Sequence, residues 1–111
     1  MIKFDEQKQL DSVAGALAIR KEIEGIAADV AGRGYKNICY LGIGGTYASA
    51  LQTQNHVQEY SGMEIIAQNA ALYNTTGNRR IGKDTVIVLS SVTGTTQEVV
   101  AAVEKAKAQG A

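Results

Sequence analysis

The sequence predicts an α/β protein, with a three-layer, Rossmann-like (flavodoxin-like) parallel sheet preceded by N-terminal helices. Three short apolar runs alternate with segments of helical periodicity, and strands that alternate with helices form right-handed βαβ units. The apolar runs lack the polar–apolar alternation of a half-exposed strand, which indicates strands covered on both faces. Loops rich in glycine and hydroxyl side chains follow the first and third runs, where a strand should end and a helix begin.

Residues 1–34 are predicted to form an N-terminal helical region. Two series of apolar residues recur there at helical spacing: Leu10, Val13 and Leu17, then Ile19, Ile23, Ile26, Ala27 and Val30. At about 100° per residue the two series point to opposite sides. This pattern predicts either two helices with a break near residues 15–18 or one helix buried on two sides. Gly32 and Gly34 then offer a left-handed cap that ends the region.

Residues 35–111 are predicted to form the βαβ core of the fold. Strands are expected over 37–41, 63–67 and 85–89, and helical segments over 46–60, 70–73 and 95–109. If the strand order begins 2-1-3, the ligand-binding crevice lies between the first and third strands. Because three parallel strands make a small sheet, we expect residues 1–111 either to be the first part of a single domain, truncated after the third strand and its helix, or to pair with something else.

Composition excludes several classes of partner. The chain has 11 basic and 11 acidic residues, so its formal net charge is zero, and its aromatic residues are five Tyr and one Phe. We therefore expect no nucleic-acid binding, which requires a basic surface. No stretch is long enough to span a bilayer and no signal core begins the chain, so we expect no membrane contact and a cytoplasmic location. Cys39 lies in an apolar run and is predicted to be a buried small hydrophobe. No residues have metal-ligand spacing, and no cofactor is expected.

The first loop, Leu41-Gly42-Ile43-Gly44-Gly45-Thr46-Tyr47, follows the first strand. A dinucleotide fingerprint needs a third glycine and an acidic residue at the end of the second strand, but Tyr47 and Gln68-Asn69 stand at those places. The Gly-Lys-Ser/Thr of a P-loop is also absent. Two interpretations remain: a tight turn that needs glycine, or an anion site formed by free N–H groups and the positive end of a helix dipole.

The second loop runs from Ser90 to Glu98 and carries five hydroxyl side chains within seven residues, with no lysine or arginine. Thr95 and Glu98 match a capping box, with Thr95 at the N-cap and Glu98 at the third helical position. We therefore interpret Glu98 as a helix cap in preference to a catalytic base. Capping does not account for the preceding hydroxyls, and a neutral loop rich in hydroxyl and N–H groups suits a sugar phosphate.

The stretch Ser91-Val92-Thr93-Gly94-Thr95-Thr96-Gln97-Glu98 resembles the Ser-x-Ser-Gly-x-Thr-x-Glu signature of the SIS (sugar isomerase) domain family, with Thr93 in place of the usual Ser. Gly44-Gly45-Thr46 resembles the first phosphosugar loop of that family. The resemblance implies that Ser91, Thr93 and Thr96 hold the phosphate together with the N–H groups of Gly94 and Thr95. It also implies that the loop Gly44-Gly45-Thr46 meets the sugar or the phosphate.

Within the family, the chain is most similar to the first SIS domain of two-domain proteins, which include fructosamine-6-phosphate deglycases and the isomerase half of glucosamine-6-phosphate synthase. This similarity implies phosphosugar binding as part of an aldose–ketose isomerase or a deglycase. The catalytic residues of such relatives come mostly from later sequence, so we expect the 111 residues alone to be inactive. The family commonly dimerises and an open edge strand invites association, so a homodimer is expected.

An alternative function is that of a sugar-phosphate-sensing SIS module in a transcriptional regulator. Residues 1–34 are too short and too weakly basic to be the DNA-binding domain of such a regulator. A Rossmann-like segment without any ligand is the third possibility.

Overall fold

The computed structural model describes residues 3–111. The chain divides into two compact units, Met1–Gly34 and Tyr35–Ala111. The sheet is parallel and helices flank it, so the predicted fold class is confirmed. Its strand order is β2-β1-β3, which meets the condition under which the two loops share a crevice. The elements in chain order are α1 (Glu6–Ala18), α2 (Arg20–Arg33), β1 (Asn37–Gly42), α3 (Gly45–Tyr60), β2 (Glu64–Asn69), α4 (Ala70–Thr76), β3 (Thr85–Leu89) and α5 (Gln97–Ala108).

The first unit contains two helices, which is one of the two predicted alternatives. The Asp5 carboxylate caps α1 by accepting the Lys8 N–H at 2.9 Å. The break falls at Ile19, just after the predicted segment, and α2 ends at Gly34, whose φ is 77°. No residue of α1 or α2 is buried, so the apolar side chains of both series are exposed or half-exposed.

The second unit has three layers. Residues that pair across the strand register share a face of the sheet, and the face that carries Cys39, Leu41 and Ile66 packs against α4 and α5. The core on this side is made by Cys39, Leu41, Ile66, Ala70, Tyr73, Ile81, Val99, Ala102 and Ala106. The opposite face packs against α3, where Ala50 is fully buried.

Helix α4 extends beyond the predicted turn at 70–73. Its start is capped by the Asn69 side chain, which accepts the Leu72 N–H at 3.1 Å. Near its end, Lys105 Nζ donates to the carbonyls of Tyr73 at 2.8 Å and Asn74 at 3.2 Å. A cation at a helix C-terminus satisfies carbonyls that have no partner within the helix. This long-range contact explains why local sequence underestimated the helix.

The prediction that the strands are covered on both faces is wrong for β3. Val88 and Leu89 are each 39% exposed, whereas the buried residues of β1 and β2 reach 0–8%. Helix α3 packs against β1 and β2, α4 packs against β2 and α5 against β1, whereas the main contacts of β3 are with β1. Sequence periodicity reports the apolar character of a strand but not whether a neighbour is present to cover it.

Asn37 and Thr85 form a buried polar pair between the first residues of β1 and β3. They are register partners, and the Thr85 hydroxyl donates to Asn37 Oδ1 at 2.7 Å. Asn37 Nδ2 also donates to the Arg80 carbonyl at 3.1 Å, and the Gly82 N–H donates to Thr85 Oγ1 at 3.0 Å. Since a buried polar group is costly without its partner, this pair favours one register of β1 against β3.

Cys39 is fully buried in the core, as predicted. Burial raises the pKa of the Cys39 thiol to about 12, and the charge of Arg80 opposes this shift only in part. The thiol is therefore neutral at ordinary pH and behaves as a small apolar side chain.

Gly42 marks the point where the end of β1 approaches the first turn of α3. A Cβ atom at this position would lie 2.6 Å from both the Thr46 carbonyl carbon and the Tyr47 nitrogen. Both are backbone atoms, so neither can move aside without shifting the helix. This contact explains the glycine physically: the strand and the helix that follows it touch backbone to backbone.

We expect Gly42→Ala to lower the free energy of unfolding by at least about 2 kcal/mol, because the added methyl group overpacks a backbone contact. Urea unfolding followed by far-UV circular dichroism measures the change. Gly45→Ala is the matched control, since a Cβ at Gly45 meets no atom within 4 Å. Equal losses in the two variants would contradict the assignment of the close contact to Gly42.

Thr85→Val should cost about 1–3 kcal/mol of unfolding free energy, because it leaves the buried Asn37 Oδ1 without its donor. The same urea titration measures this loss. Thr53→Val makes the same chemical change in α3, where the Thr53 hydroxyl bonds only to the Ser49 carbonyl, and should stay within about 0.5 kcal/mol of the wild type. A Thr85→Val protein as stable as the Thr53→Val control would rule out the register role of the pair.

Candidate functional site

Two strand-to-helix junctions lie side by side at the carboxyl edge of the sheet. Strand β1 leads into α3 and strand β3 leads into α5, and Leu41 and Leu89 are partners near the ends of the two strands. A cavity of about 440 Å³ lies between the junctions. This volume is within the range of small-molecule sites, about 300–1,000 Å³.

The cavity joins residues from both predicted loops. Five of the eight predicted binding residues line it: Gly45, Thr46, Ser91, Thr93 and Thr96. The remaining lining residues are Ile43, Ser90, Val92 and Val99. Gly44, Gly94 and Thr95 do not line the cavity. They lie in the two loops, and both glycines have a positive φ, 58° at Gly44 and 70° at Gly94, which favours glycine over other residues.

The first loop is held by the Thr46 side chain. The Thr46 hydroxyl donates to the Ile43 carbonyl at 2.9 Å and accepts the Ile43 N–H at 3.0 Å. The hydroxyl therefore closes the turn between β1 and α3. The N–H groups of Gly45, Thr46 and Tyr47, in contrast, find no acceptor within residues 3–111. The first loop thus offers backbone donors at a helix N-terminus, which is the usual composition of an anion site.

The second loop is ordered by its own hydroxyl groups. Ser91 Oγ accepts the Gly94 N–H at 2.9 Å, and Thr93 Oγ1 accepts both the Thr95 N–H at 3.2 Å and the Thr95 hydroxyl at 3.0 Å. The two amides predicted to meet a phosphate are thus bonded within the loop. The hydroxyls of Ser91 and Thr93 serve only as acceptors in these bonds, so each keeps an O–H proton to donate.

The predicted capping box does not form. Helix α5 begins one residue later than predicted, with Thr96 at the N-cap, and no side-chain hydrogen bond caps it. Glu98 is exposed at the second helical position. The shift arises because Thr95 is bonded back to Thr93. Consequently the Thr96 hydroxyl lines the cavity without a capping partner.

The predicted binding residues leave out four residues that line the cavity, Ile43, Ser90, Val92 and Val99, and Tyr40 beside it. Ile43 and Val99 supply apolar lining, and the Tyr40 hydroxyl lies 3.3 Å from Ser90 Oγ. Tyr40 belongs to the apolar run of β1, and the run alone does not show that the Tyr40 hydroxyl lies beside Ser90. The register of β1 against β3, which is a long-range property, decides this.

The cavity is electrically neutral along its lining. None of the lining side chains in the described part of the chain is titratable. Within residues 3–111, no three His, Cys, Asp or Glu side chains lie close enough together to hold a metal ion, and no helix is long and apolar enough to cross a membrane. The cavity offers a ligand N–H groups, hydroxyls and three apolar side chains, those of Ile43, Val92 and Val99.

A family model of the SIS domain matches residues 33–111, which include both junctions and the whole sheet. The chain belongs to the SIS domain family. The resemblance found in the two loops is therefore confirmed at the level of the family. No curated protein matches this SIS chain at a significant level.

A crystal structure of a Salmonella typhimurium LT2 protein assigned as a phosphosugar isomerase is similar to this SIS chain. The two share 25% sequence identity and superpose with a TM-score of 0.69. The alignment covers 78% of the SIS chain and 26% of the Salmonella chain. The SIS chain therefore spans about a quarter of the length of that protein.

Proposed function

We propose that the chain binds a sugar phosphate in the cavity between the ends of β1 and β3, as part of a phosphosugar aldose–ketose isomerase or a fructosamine-6-phosphate deglycase. One observation carries the proposal: the cavity combines free amide donors of α3 with the hydroxyls of the loop before α5, and among residues 3–111 no charged side chain lines it. The similar Salmonella protein, assigned as a phosphosugar isomerase, supports this substrate class. In this proposal residues 1–111 form the first part of an SIS domain.

The phosphate is assigned to the side of the cavity formed by the second loop. Ser91 and Thr93 each keep a hydroxyl proton, and the Thr96 hydroxyl is without a capping partner at the start of α5. Three hydroxyl donors next to the positive end of a helix dipole favour an anion. The amides of Gly94 and Thr95 join them only if the loop exchanges its internal hydrogen bonds for bonds to the ligand.

The sugar is assigned to the side of the cavity formed by the first loop. The amides of Gly45 and Thr46 provide donors, and Ile43 and Val99 provide apolar surface. A sugar ring has both kinds of surface, since its hydroxyls project at the rim and its C–H groups form the faces. Thr46 acts by holding the turn, because its hydroxyl is already bonded to Ile43.

A second candidate function is a sugar-phosphate sensor within a transcriptional regulator. The observation that favours it is the absence of any titratable side chain along the described lining, since a sensor needs binding without catalysis. The open reading frame around the chain distinguishes the two functions. An upstream helix-turn-helix domain supports the sensor, and a second SIS domain downstream supports the enzyme.

We expect Thr96→Val to weaken binding of fructose-6-phosphate or glucosamine-6-phosphate by about 10- to 100-fold, since a hydrogen bond to a charged group contributes about 1.5–3 kcal/mol. Isothermal titration calorimetry measures the affinity. Stability should change little, because Thr96 makes no capping hydrogen bond. Thr53→Val is the control, since Thr53 lies outside both loops, bonds only to the Ser49 carbonyl and does not line the cavity.

Unphosphorylated fructose tests the role of the phosphate in the same titration. We expect no measurable heat from fructose at concentrations that saturate the site with its 6-phosphate. Equal affinities for the two sugars, or equal losses in Thr96→Val and Thr53→Val, would count against the proposed phosphate site.

The 111 residues alone should not interconvert fructose-6-phosphate and glucose-6-phosphate. Aldose–ketose isomerisation needs a base that moves a proton between adjacent carbons, and the described lining holds none. A coupled dehydrogenase assay that detects glucose-6-phosphate measures the rate. Turnover that survives purification and disappears in Thr96→Val would show that this chain supplies a base of its own.

A further inference from the structure

Ser90 lines the cavity, and its hydroxyl contacts a side chain from another strand. The hydroxyls of Ser91 and Thr93 accept backbone N–H groups of their own loop, and that of Thr46 bonds to the backbone of its own turn. Ser90 Oγ instead lies 3.3 Å from the Tyr40 hydroxyl, and Ser90 is exposed. The hydrogen bond of Ser90 therefore links the end of β3 to the middle of β1.

The register of β1 against β3 places Ser90 beside the first loop. Tyr40 is the register partner of Val88. Ser90 comes two residues after Val88 in the chain, and Gly42, the last residue of β1, comes two residues after Tyr40. Because paired parallel strands advance in step, Ser90 and Gly42 lie at the same level of the sheet. Ser90 is thus on the side of the cavity to which the sugar is assigned.

The hydroxyls of Tyr40 and Ser90 together have the hydrogen-bonding capacity that a sugar hydroxyl needs. Each of the two has one proton and lone pairs that accept, and the contact between them uses one proton. Whichever of the two donates, the pair keeps one O–H donor and free lone pairs. A sugar hydroxyl both donates and accepts, so the pair can satisfy both of its roles, whereas a phosphate dianion only accepts.

We propose that Ser90 determines specificity for the sugar part of the ligand and that Tyr40 is a positioning residue that orients the Ser90 hydroxyl. This inference rests on the proposed function, since it requires a phosphosugar in the cavity. Tyr40 is partly buried within β1, so its ring has less freedom than an exposed side chain. A serine held by such a partner loses less rotamer entropy on binding. The pair thus favours polyhydroxy phosphate esters over simple ones.

Titrations of the wild-type chain and of Ser90→Ala with two probes, fructose-6-phosphate and methyl phosphate, test the role of Ser90. Chemical shifts of the backbone amides in nuclear magnetic resonance spectra measure both affinities. We expect Ser90→Ala to weaken binding of fructose-6-phosphate by about 3- to 10-fold, which is the range for a neutral hydrogen bond. The affinity for methyl phosphate, which has no sugar, should not change. Ser90→Thr keeps the hydroxyl and should retain the preference for fructose-6-phosphate.

Tyr40→Phe tests the positioning role, because it removes the hydroxyl and keeps the ring. It should weaken binding of fructose-6-phosphate at least about twofold and should have no further effect in the Ser90→Ala background, since Tyr40 acts through Ser90. A merely structural role of Tyr40 would lower the affinities for both probes together. Tyr60→Phe is the matched control: Tyr60 is 73% exposed at the end of α3 and does not line the cavity, so neither affinity should change.

The possible outcomes separate this inference from the proposed function. A wild-type chain that binds neither probe would overturn both. Binding of fructose-6-phosphate that is weakened by Thr96→Val but unchanged in Ser90→Ala would overturn the specificity role of Ser90 alone. Equal losses for the two probes in Ser90→Ala would do the same. An effect of Tyr40→Phe that persists in full in the Ser90→Ala background would overturn the positioning role of Tyr40.

Discussion

The buried hydrogen bond between Thr85 and Asn37 sets the alignment on which the candidate site depends. It ties together the first residues of β1 and β3, and in a parallel pair a fixed start also fixes the relative position of the ends. Leu41 and Leu89 therefore lie side by side, and the loops that follow them open at the same level. A shift of one residue would invert the faces of β3 and move its hydroxyl loop away from the amides of α3. The geometry of the cavity thus begins at the opposite end of the sheet.

Most of the fold was predictable because its elements have strong local signals. The bounds of β3 agree with the prediction to the residue, since its five residues are apolar or β-branched and polar loops flank it. The strand order 2-1-3 was the condition under which the two ligand loops share a crevice, and no local signal decides it. Long-range contacts account for the failures: Lys105 supports the end of α4, and the helices pack more closely on β1 and β2 than on β3. Neither property is encoded in the residues next to the element concerned.

The candidate site was predictable in its position but not in its hydrogen bonds. Thr95 and Thr96 are equally suited by type to begin a helix, so local sequence does not decide between them. The structure selects Thr96 because Thr95 bonds to Thr93. Similarly, Gly44 and Gly94 were expected to touch a ligand, whereas both turn the backbone with a positive φ. In loops of this kind the residue types indicate the chemistry of a site, and the network among them decides which groups stay free.

The absence of charged side chains along the described cavity lining has a kinetic consequence. Oriented amides and hydroxyls act over a few ångströms, whereas a cluster of lysines or arginines attracts an anion from about a Debye length away. An anionic ligand would therefore reach such a cavity by unassisted diffusion, at a rate that changes little with ionic strength. Discrimination would begin only on contact, where the spacing of the donors and the positive end of the helix dipole determine how long the anion stays bound.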